Sequence, residues 1–510
     1  MTYYVTTPIY YVNDEPHLGH IYTTIAADVL ARQARLAGED VFFLTGVDEH
    51  GQKVQQAAQA RDMTPLALAD SVVERYRDLW PQLSISNDDF IRTSSERHKR
   101  GVQAMWRLLQ DSGHLYKGMY EDWYCVPCET YWTETQLKDA GTGQDKLCPD
   151  CGRPVQKVQE ESYFFRLSAF QDKLLAHIHA HPEFIAPESR RNEVLRFVES
   201  GLNDLSVSRT TFSWGVPVPD DERHVVYVWI DALTNYLSAL GFPDAPVPKY
   251  WPADVHLIGK DILRFHAVYW PCMLMAAGLP LPKRIFAHGW WTVEGEKMSK
   301  SKGNALRPAD LLRDYEADVL RYFLLREVPF GQDGDFSHAA LRQRYNTELA
   351  NDIGNLLNRS LAMLHKYRDG RLGLAATGHD ADRALIADVE AMQRDVGEAL
   401  RVQAFHTALE RISAVVRHGN RYVEDNAPWQ LAKAGDDARL DTVLYNLVET
   451  LRLVALQLLP FMPVKAGAML AQIMGEQAVG TVGLHDQGGW GLLKAGHACA
   501  RPSPVFPRLE

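Results

Sequence analysis

Positive charge is in short supply. Lysine and arginine total 54 against 65 aspartates and glutamates, a net charge of −11 with histidine neutral. Lysine and arginine drive contact with phosphate, so this balance taken alone favours a small-molecule enzyme, and a polyanionic partner would need a local basic track. No leader is expected either: Met1 to Val12 holds no basic stretch followed by an apolar core and a small-residue cleavage site. The longest nearly apolar run, Ala267 to Leu281, contains two prolines and is too short for a bilayer. These absences predict a cytoplasmic protein with no membrane partner. No repeat or low-complexity tract is visible. What remains is ordinary for a soluble globular protein, 46% hydrophobic and 23% charged. At 510 residues, two to four domains are expected.

Cysteine is scarce, with six in all, yet four are ordered as Cys125-x-x-Cys128 and Cys148-x-x-Cys151 with nineteen residues between the pairs. That spacing makes two tight turns whose thiolates converge on one tetrahedral ion. Two disulfides are the competing reading, but a reduced cytosol disfavours them, and both turns carry a proline. One structural Zn²⁺ per chain is expected, because four protein ligands leave no open position for water. Cys272 and Cys499 have no partner in the sequence and read as a buried apolar residue and a tail residue.

The pattern along the chain predicts an α/β fold. Tyr3 to Tyr11 is a β-branched, aromatic run of buried-strand type, followed by a helix from about Gly19 to Leu36 and a second strand from Asp40 to Thr45. Helical periodicity follows over Gln52 to Gln59, Leu66 to Trp80 and Arg97 to Gln110, the start of a parallel sheet. Residues 115–224 break the rhythm, and strand-like runs return at Val225 to Trp229, Val255 to Ile258 and Ile285 to Ala287. Beyond Asp310 the pattern is almost wholly helical, over Leu341 to Leu364, Ala381 to Ala399, Gln403 to Glu424 and Asp441 to Leu459. The expected organisation is a Rossmann-type parallel sheet in two halves, 1–114 and 225–340, split by a zinc-bearing insertion at 115–224 and followed by an all-α bundle and tail at 341–510.

Two short motifs carry chemistry. His17-Leu18-Gly19-His20 stands at a strand-to-helix turn, where glycine lets a nucleotide approach the backbone and the helix N-terminus favours phosphate. Lys297-Met298-Ser299-Lys300-Ser301 offers two point charges for a departing pyrophosphate. In this order, with α/β sequence around each, the pair resembles the two signatures of class I aminoacyl-tRNA synthetases. Longer blocks narrow the resemblance. Thr6 to Asn13 leads into Pro16 to His20, and Thr45-Gly46-Val47-Asp48-Glu49-His50-Gly51 follows. With Tyr227 to Ala232, His256 to Ile262 and Lys297 to Asn304, these are similar to the motifs of methionyl-tRNA synthetases. The similarity runs from Thr2 to about Pro463 and, more loosely, to Val505-Phe506-Pro507. Leu18 replaces the isoleucine of the general class form. The insertion is far smaller than the editing domain of the leucyl, isoleucyl and valyl relatives.

The resemblance implies activation of L-methionine by ATP with Mg²⁺, then transfer to tRNA(Met). No side chain need move a proton in the first step, because the attacking carboxylate is already ionised, so catalysis is alignment plus charge stabilisation. His17 and His20 would donate to phosphate oxygens, Gly19 would leave room for adenosine, and Lys297 and Lys300 would clamp pyrophosphate. Gly259, Asp261, Met298, Ser299 and Ser301 complete the nucleotide-binding positions that the motifs imply. Methionine's thioether calls for an apolar pocket with aromatic walls. Trp229, Ala232, Leu233 and Tyr236 share one face if a helix begins near Trp229, and Ile262, Phe265 and His266 form a second cluster. With Ile9 and Tyr11 they match the family's methionine pocket, and Asp48 would pair with the α-ammonium at the carboxyl edge of the sheet. Asn355, Arg359 and Trp429 match positions that contact the anticodon, where unstacked bases meet aromatic and arginine planes. A monomer is expected.

Overall fold

A computed structural model describes residues 1–12, 15–139, 146–245, 249–297, 306–376, 378–476 and 483–509. It divides into two compact units, one made of Met1–Ala27, Val41–Pro81 and Ser86–His288, the other of Asp28–Asp40, Gln82–Ile85 and Gly289–Glu510.

The first unit is built on a six-stranded sheet. β1 (Thr2–Tyr11), β2 (Asp40–Asp48) and β3 (Asp89–Arg92) lie in the order β3-β2-β1 and are followed by the strands Val255–Gly259, Ile285–His288 and Ile185–Ala186. β2 runs parallel to β3, and β1 runs parallel to Val255–Gly259 with Val5 opposite Val255. Helix α1 (Leu18–Leu36) follows β1, while α2 (Gln52–Gln59), α3 (Pro65–Gln82) and α4 (Glu96–Asp111) separate later strands. Tyr4, Val5, Leu44, Leu257 and Ile258 are buried, as continuous apolar strands covered on both faces must be. The chain order reverses between β1 and Val255–Gly259. That reversal is the switch point at which open α/β sheets leave a crevice beyond the strand carboxyl ends.

The interrupting segment carries its own antiparallel sheet. β4 (Leu115–Cys125) pairs along its length with Gln156–Phe165, flanked by β5 (Thr130–Trp132) and Leu205–Ser206. Helices α5 (Gln171–Ala180) and α6 (Glu188–Glu199) follow, with Ile185–Ala186 between them. That short strand joins the edge of the main sheet through Ile285 and Phe286, so the insertion also completes the sheet it interrupts.

One expected strand is corrected. Val225 to Trp229 does not enter the main sheet: Asp221–Val226 pairs antiparallel with Ser208–Arg209 and Pro217–Val218, and helix α7 (Val228–Ser238) begins at once. The reason is burial. All eleven residues of α7 are buried, so no amphipathic period marks it, and its β-branched start imitates a strand.

In the second unit the helices expected from periodicity are present: Asn355–Arg368 preceded by a π-helical stretch, then Asp380–Arg401, Phe405–Asn426 and Asp437–Leu458. Thr442 to Leu458 are buried all round, as suits a central helix. Its Arg452 pairs with Glu449 at 2.7 and 2.9 Å, and Glu449 also accepts the Gly491 and Leu492 N–H groups, so the buried pair is satisfied. Residues 289–340, read as part of the catalytic half, pack within this second unit. Trp291, Phe323 and Phe336 form an aromatic cluster there, and Trp291–Val293 pairs with Gly334–Phe336 and Glu296–Lys297. Among the described residues no helix is long and apolar enough to cross a membrane.

Candidate active site

At the carboxyl end of β1 the chain turns into α1. His17 and His20 stack there with ring centroids 3.6 Å apart. The Gly19 N–H donates to His17 Nδ1 at 3.1 Å, and the His17 N–H donates to His20 Nδ1 at 3.3 Å. A backbone N–H can only donate, so both rings carry their proton on Nε2. Desolvation lowers His17 to about 4, and it holds His20 well below the ordinary value with help from His17. Both are therefore neutral at pH 7, with an Nε2–H donor each. A Cβ at Gly19 would stand 3.1 Å from the His17 ring, so a side chain there would displace the donor. Gly259 ends the strand beside β1, and Asp261 sits in the turn that follows, close enough to His17 to oppose the fall in its pKa.

The second group lies on α7 and the segment after Asp261. Trp229 stacks on Phe265 with centroids 3.6 Å apart and planes 7° apart, and its ring meets His266 edge-on. Tyr236 and His266 share a 2.8 Å hydrogen bond. The Ile262 carbonyl takes the other ring nitrogen at 3.0 Å, which makes Nδ1–H the donor and Nε2 the acceptor from Tyr236. Ala232 and Leu233 are buried in the same apolar cluster, with Ile9, Tyr11 and Ile262 packed against it. Two polar atoms in this group, Tyr11 Oη and Trp229 Nε1, are buried without a partner among the described residues.

Asp48 ends β2 and is 2% exposed. Its pKa is raised well above 3.8, by burial first and then by the charge of Asp231. The one hydrogen bond to its carboxylate among the described residues is a long one, from the His50 N–H at 3.4 Å. No side-chain cation is paired with it there. A buried carboxylate in that state is matched to an incoming ammonium.

Sequence reasoning left Asp231 without a role, although its motif was noted. It is fully buried, and its two oxygens bind His50 Nδ1 at 2.6 Å and His98 Nε2 at 2.7 Å, with Ser238 on the far nitrogen of His98. Burial would raise it, but His50 holds it down to about 2. The triad ties α7 to the segment after Asp48 and to α4. Nothing in the spacing of residues 50, 98 and 231 announces this, because it depends on three elements meeting.

The four paired cysteines cluster with their sulfur atoms all within 4.8 Å of one another. Cys125 and Cys151 are 3.6 Å apart, and Cys128 and Cys148 4.0 Å. A tetrahedral ion bound at about 2.3 Å sets sulfurs about 3.8 Å apart, so the donor set fits a metal, and disulfides are not formed.

Lys297 ends a short strand, but its side chain and Met298, Ser299, Lys300 and Ser301 lie outside the described residues. In the second unit Asn355 is exposed and Arg359 half-buried on the same face, while Leu356, Leu357 and Leu361 point inward. Arg359 pairs with Glu424 at 2.6 Å, and Trp429 is 41% exposed. Asn355 lines a cavity of about 550 Å³ with Asn351, Asn358, Phe506 and Arg508. Asn351 and Arg508 escaped the sequence reading, since the tail reaches the helix only through the fold.

The family described as "tRNA synthetases class I (M)" matches residues 3–361, and the "Anticodon binding domain of methionyl tRNA ligase" matches residues 374–510. The chain belongs to the methionyl-tRNA synthetase family. It is 51% identical to the methionine–tRNA ligase of Caldanaerobacter subterraneus, over all of this chain and 79% of that protein. It is 49% identical to the methionine–tRNA ligase of Rickettsia felis, over all of this chain and 99% of that protein. Methionyl-tRNA synthetase of Mycobacterium tuberculosis, solved in complex with methionyl-adenylate, is 47% identical and superposes with a TM-score of 0.94, covering 99% of this chain and 100% of that one.

Proposed function

We infer that the chain is a methionine–tRNA ligase. It activates L-methionine with ATP to methionyl-adenylate and pyrophosphate, then passes the methionyl group to the terminal adenosine of tRNA(Met). The observation that carries this reading is Asp48: a buried carboxylate of raised pKa with no paired cation among the described residues, in the same unit as the Trp229–Phe265 stack and the His17–His20 turn. The α-ammonium pairs with Asp48, while the thioether lies among Ile9, Tyr11, Trp229, Ala232, Leu233, Tyr236, Ile262, Phe265 and His266.

The methionine carboxylate attacks the α-phosphorus of ATP, and the bond to the β-phosphate breaks. His17 and His20 donate from Nε2 to phosphate oxygens, an alignment that needs no proton transfer. Gly19, Gly259 and Asp261 border the nucleotide, and Lys297 and Lys300, with Met298, Ser299 and Ser301, hold the leaving pyrophosphate. Mg²⁺ enters with ATP. The cysteine cluster takes zinc, which supplies a structural cross-link when bound. Asn355, Arg359 and Trp429 meet the anticodon, catalysis belongs to 1–114 and 225–340, and the enzyme works as a cytoplasmic monomer of 57.6 kDa.

The test is ATP–pyrophosphate exchange with each amino acid in turn. Exchange dependent on methionine alone is expected, and exchange with none, or with an unrelated amino acid, overturns the reading.

A further inference from the structure

The turn Val126–Cys128 follows Cys125 and ends on Cys128, two of the four clustered cysteines, and the residue that leaves it, Glu129, makes its contacts elsewhere in the first unit. Glu129 is 1% exposed and adopts a left-handed φ of 51°. Its Oε1 accepts the Lys53 N–H at 3.1 Å, its Oε2 accepts the Tyr124 hydroxyl, and its carbonyl accepts the Tyr227 hydroxyl at 2.6 Å.

Lys53 lies in the first turn of α2. That helix begins with Gly51 as its N-cap, at φ 104°, and Gly51 has no side chain to cap the free N–H groups. A Cβ at Gly51 would come within 3.1 Å of Glu129 Oε1. Glu129 therefore stands where a capping side chain would otherwise be, an anion at the positive end of α2 supplied from a distant loop.

A second link runs beside the first. The Lys53 ammonium donates to the Pro127 carbonyl at 3.4 Å, inside the cysteine turn, and lies 5.3 Å from the centre of the Tyr11 ring. One residue of α2 thus touches the cysteine turn through its backbone and its side chain, and the same side chain covers a ring that packs against the Trp229 cluster. α2 starts four positions after Asp48, so the turn, the Asp48 loop and Tyr11 are joined by two short bridges.

We propose that Glu129 and Lys53 are positioning residues that latch the cysteine turn to the amino-acid pocket, so that the order of that turn sets how well the pocket holds methionine. Neither touches substrate: Glu129 acts through the start of α2 and Lys53 through Tyr11. The inference rests on the methionine site and metal cluster proposed above.

The experiment uses the full chain, with methionine-dependent exchange in the unaltered protein as the reference; if that exchange is absent, the functional reading has failed rather than this one. Glu129→Ala should raise the methionine KM by about tenfold, the loss of a helix cap, while kcat and the ATP KM stay within about twofold. The zinc content, read by colorimetric release, should remain one per chain, and the Gln52–Lys53 amides should exchange hydrogen faster. Glu129→Gln keeps the acceptor for the Lys53 N–H and should recover most of the affinity. Chelating the metal from the unaltered protein should raise the methionine KM similarly and add little in Glu129→Ala. An unchanged methionine KM in zinc-loaded Glu129→Ala, or a chelation effect as large in that variant as in the parent, overturns the proposal. If Glu129→Ala does not fold, Lys53→Met decides the matter: a raised methionine KM with zinc retained supports the latch, and an unchanged one overturns it.

Discussion

Trp229 lies flat on Phe265, with 3.6 Å between ring centres. A stack that close would fix one wall of the proposed methionine pocket before any ligand arrives, its value being in holding two large faces still rather than in area alone. Phe265→Leu keeps an apolar residue and removes the stack. The methionine KM in pyrophosphate exchange should rise by roughly threefold to tenfold, with the ATP KM unchanged. Equal effects on both substrates would make the stack general core packing.

Asp48 gives a pH signature. Its raised pKa means that the empty protein gains stability from the protonated acid below the ordinary value of 3.8, and that this contribution disappears as pH climbs through the raised value. Ammonium binding needs the carboxylate and so runs the other way. The methionine KM should increase on acidification at pH values still well above 3.8, while the ATP KM holds. The rise in melting temperature on adding methionine should grow as pH climbs through the raised value, and Asp48→Asn should abolish both trends.

Arg321 is fully buried in the second unit. It pairs with Asp28 at 2.7 Å and donates to the Pro460, Phe461 and Leu83 carbonyls. Arg321→Met leaves three buried carbonyls without donors and weakens the pairing of a buried carboxylate, so unfolding should become easier by about 3 kcal/mol. Urea denaturation measures it. A change under about 1 kcal/mol would mean that water replaces the guanidinium.

Lys300→Ala should slow adenylate formation by about a hundredfold or more while methionine affinity stays nearly intact, because charge on the leaving group develops only in the transition state. Single-turnover kinetics with titrated methionine separate the two. Equal loss of both would assign the loop a structural role.

Trp429 is exposed on a surface of the helical unit, which an ordinary core tryptophan is not. In Trp429→Ala, amino-acid activation should survive and tRNA charging should fall by about tenfold or more, the value of one stacked base. Collapse of activation as well would make the residue packing.

Much of this molecule is legible in its sequence because local signals and tertiary outcome agree. The run from Thr2 to Tyr11 becomes a buried strand, Gln52 to Gln59 a helix, and the spaced cysteines a cluster. The reading misses what has no local signal. α7 is buried on every side and so loses its period, and Ile185–Ala186 is too short to register, yet it closes the edge of the main sheet. The site divides along the same line. Asp48 and Trp229 stand in recognisable motifs, whereas the joining of Asp231 to His50 and His98, and the Glu129 cap, come from loops and helices that only the fold brings side by side. The cavity wall at Phe506 and Arg508 is another product of chain return.

The pairing of Val5 with Val255 sets a timetable for biosynthesis. Thr6 meets its hydrogen-bonding partner His256 only 250 residues further along. At ordinary translation speeds the ribosome needs roughly 10–50 s to supply that length. Throughout that interval β1 has one flank uncovered, an apolar edge open to mispairing. A nascent chain arrested just before Val255 should therefore hold chaperones that one arrested beyond His288 releases.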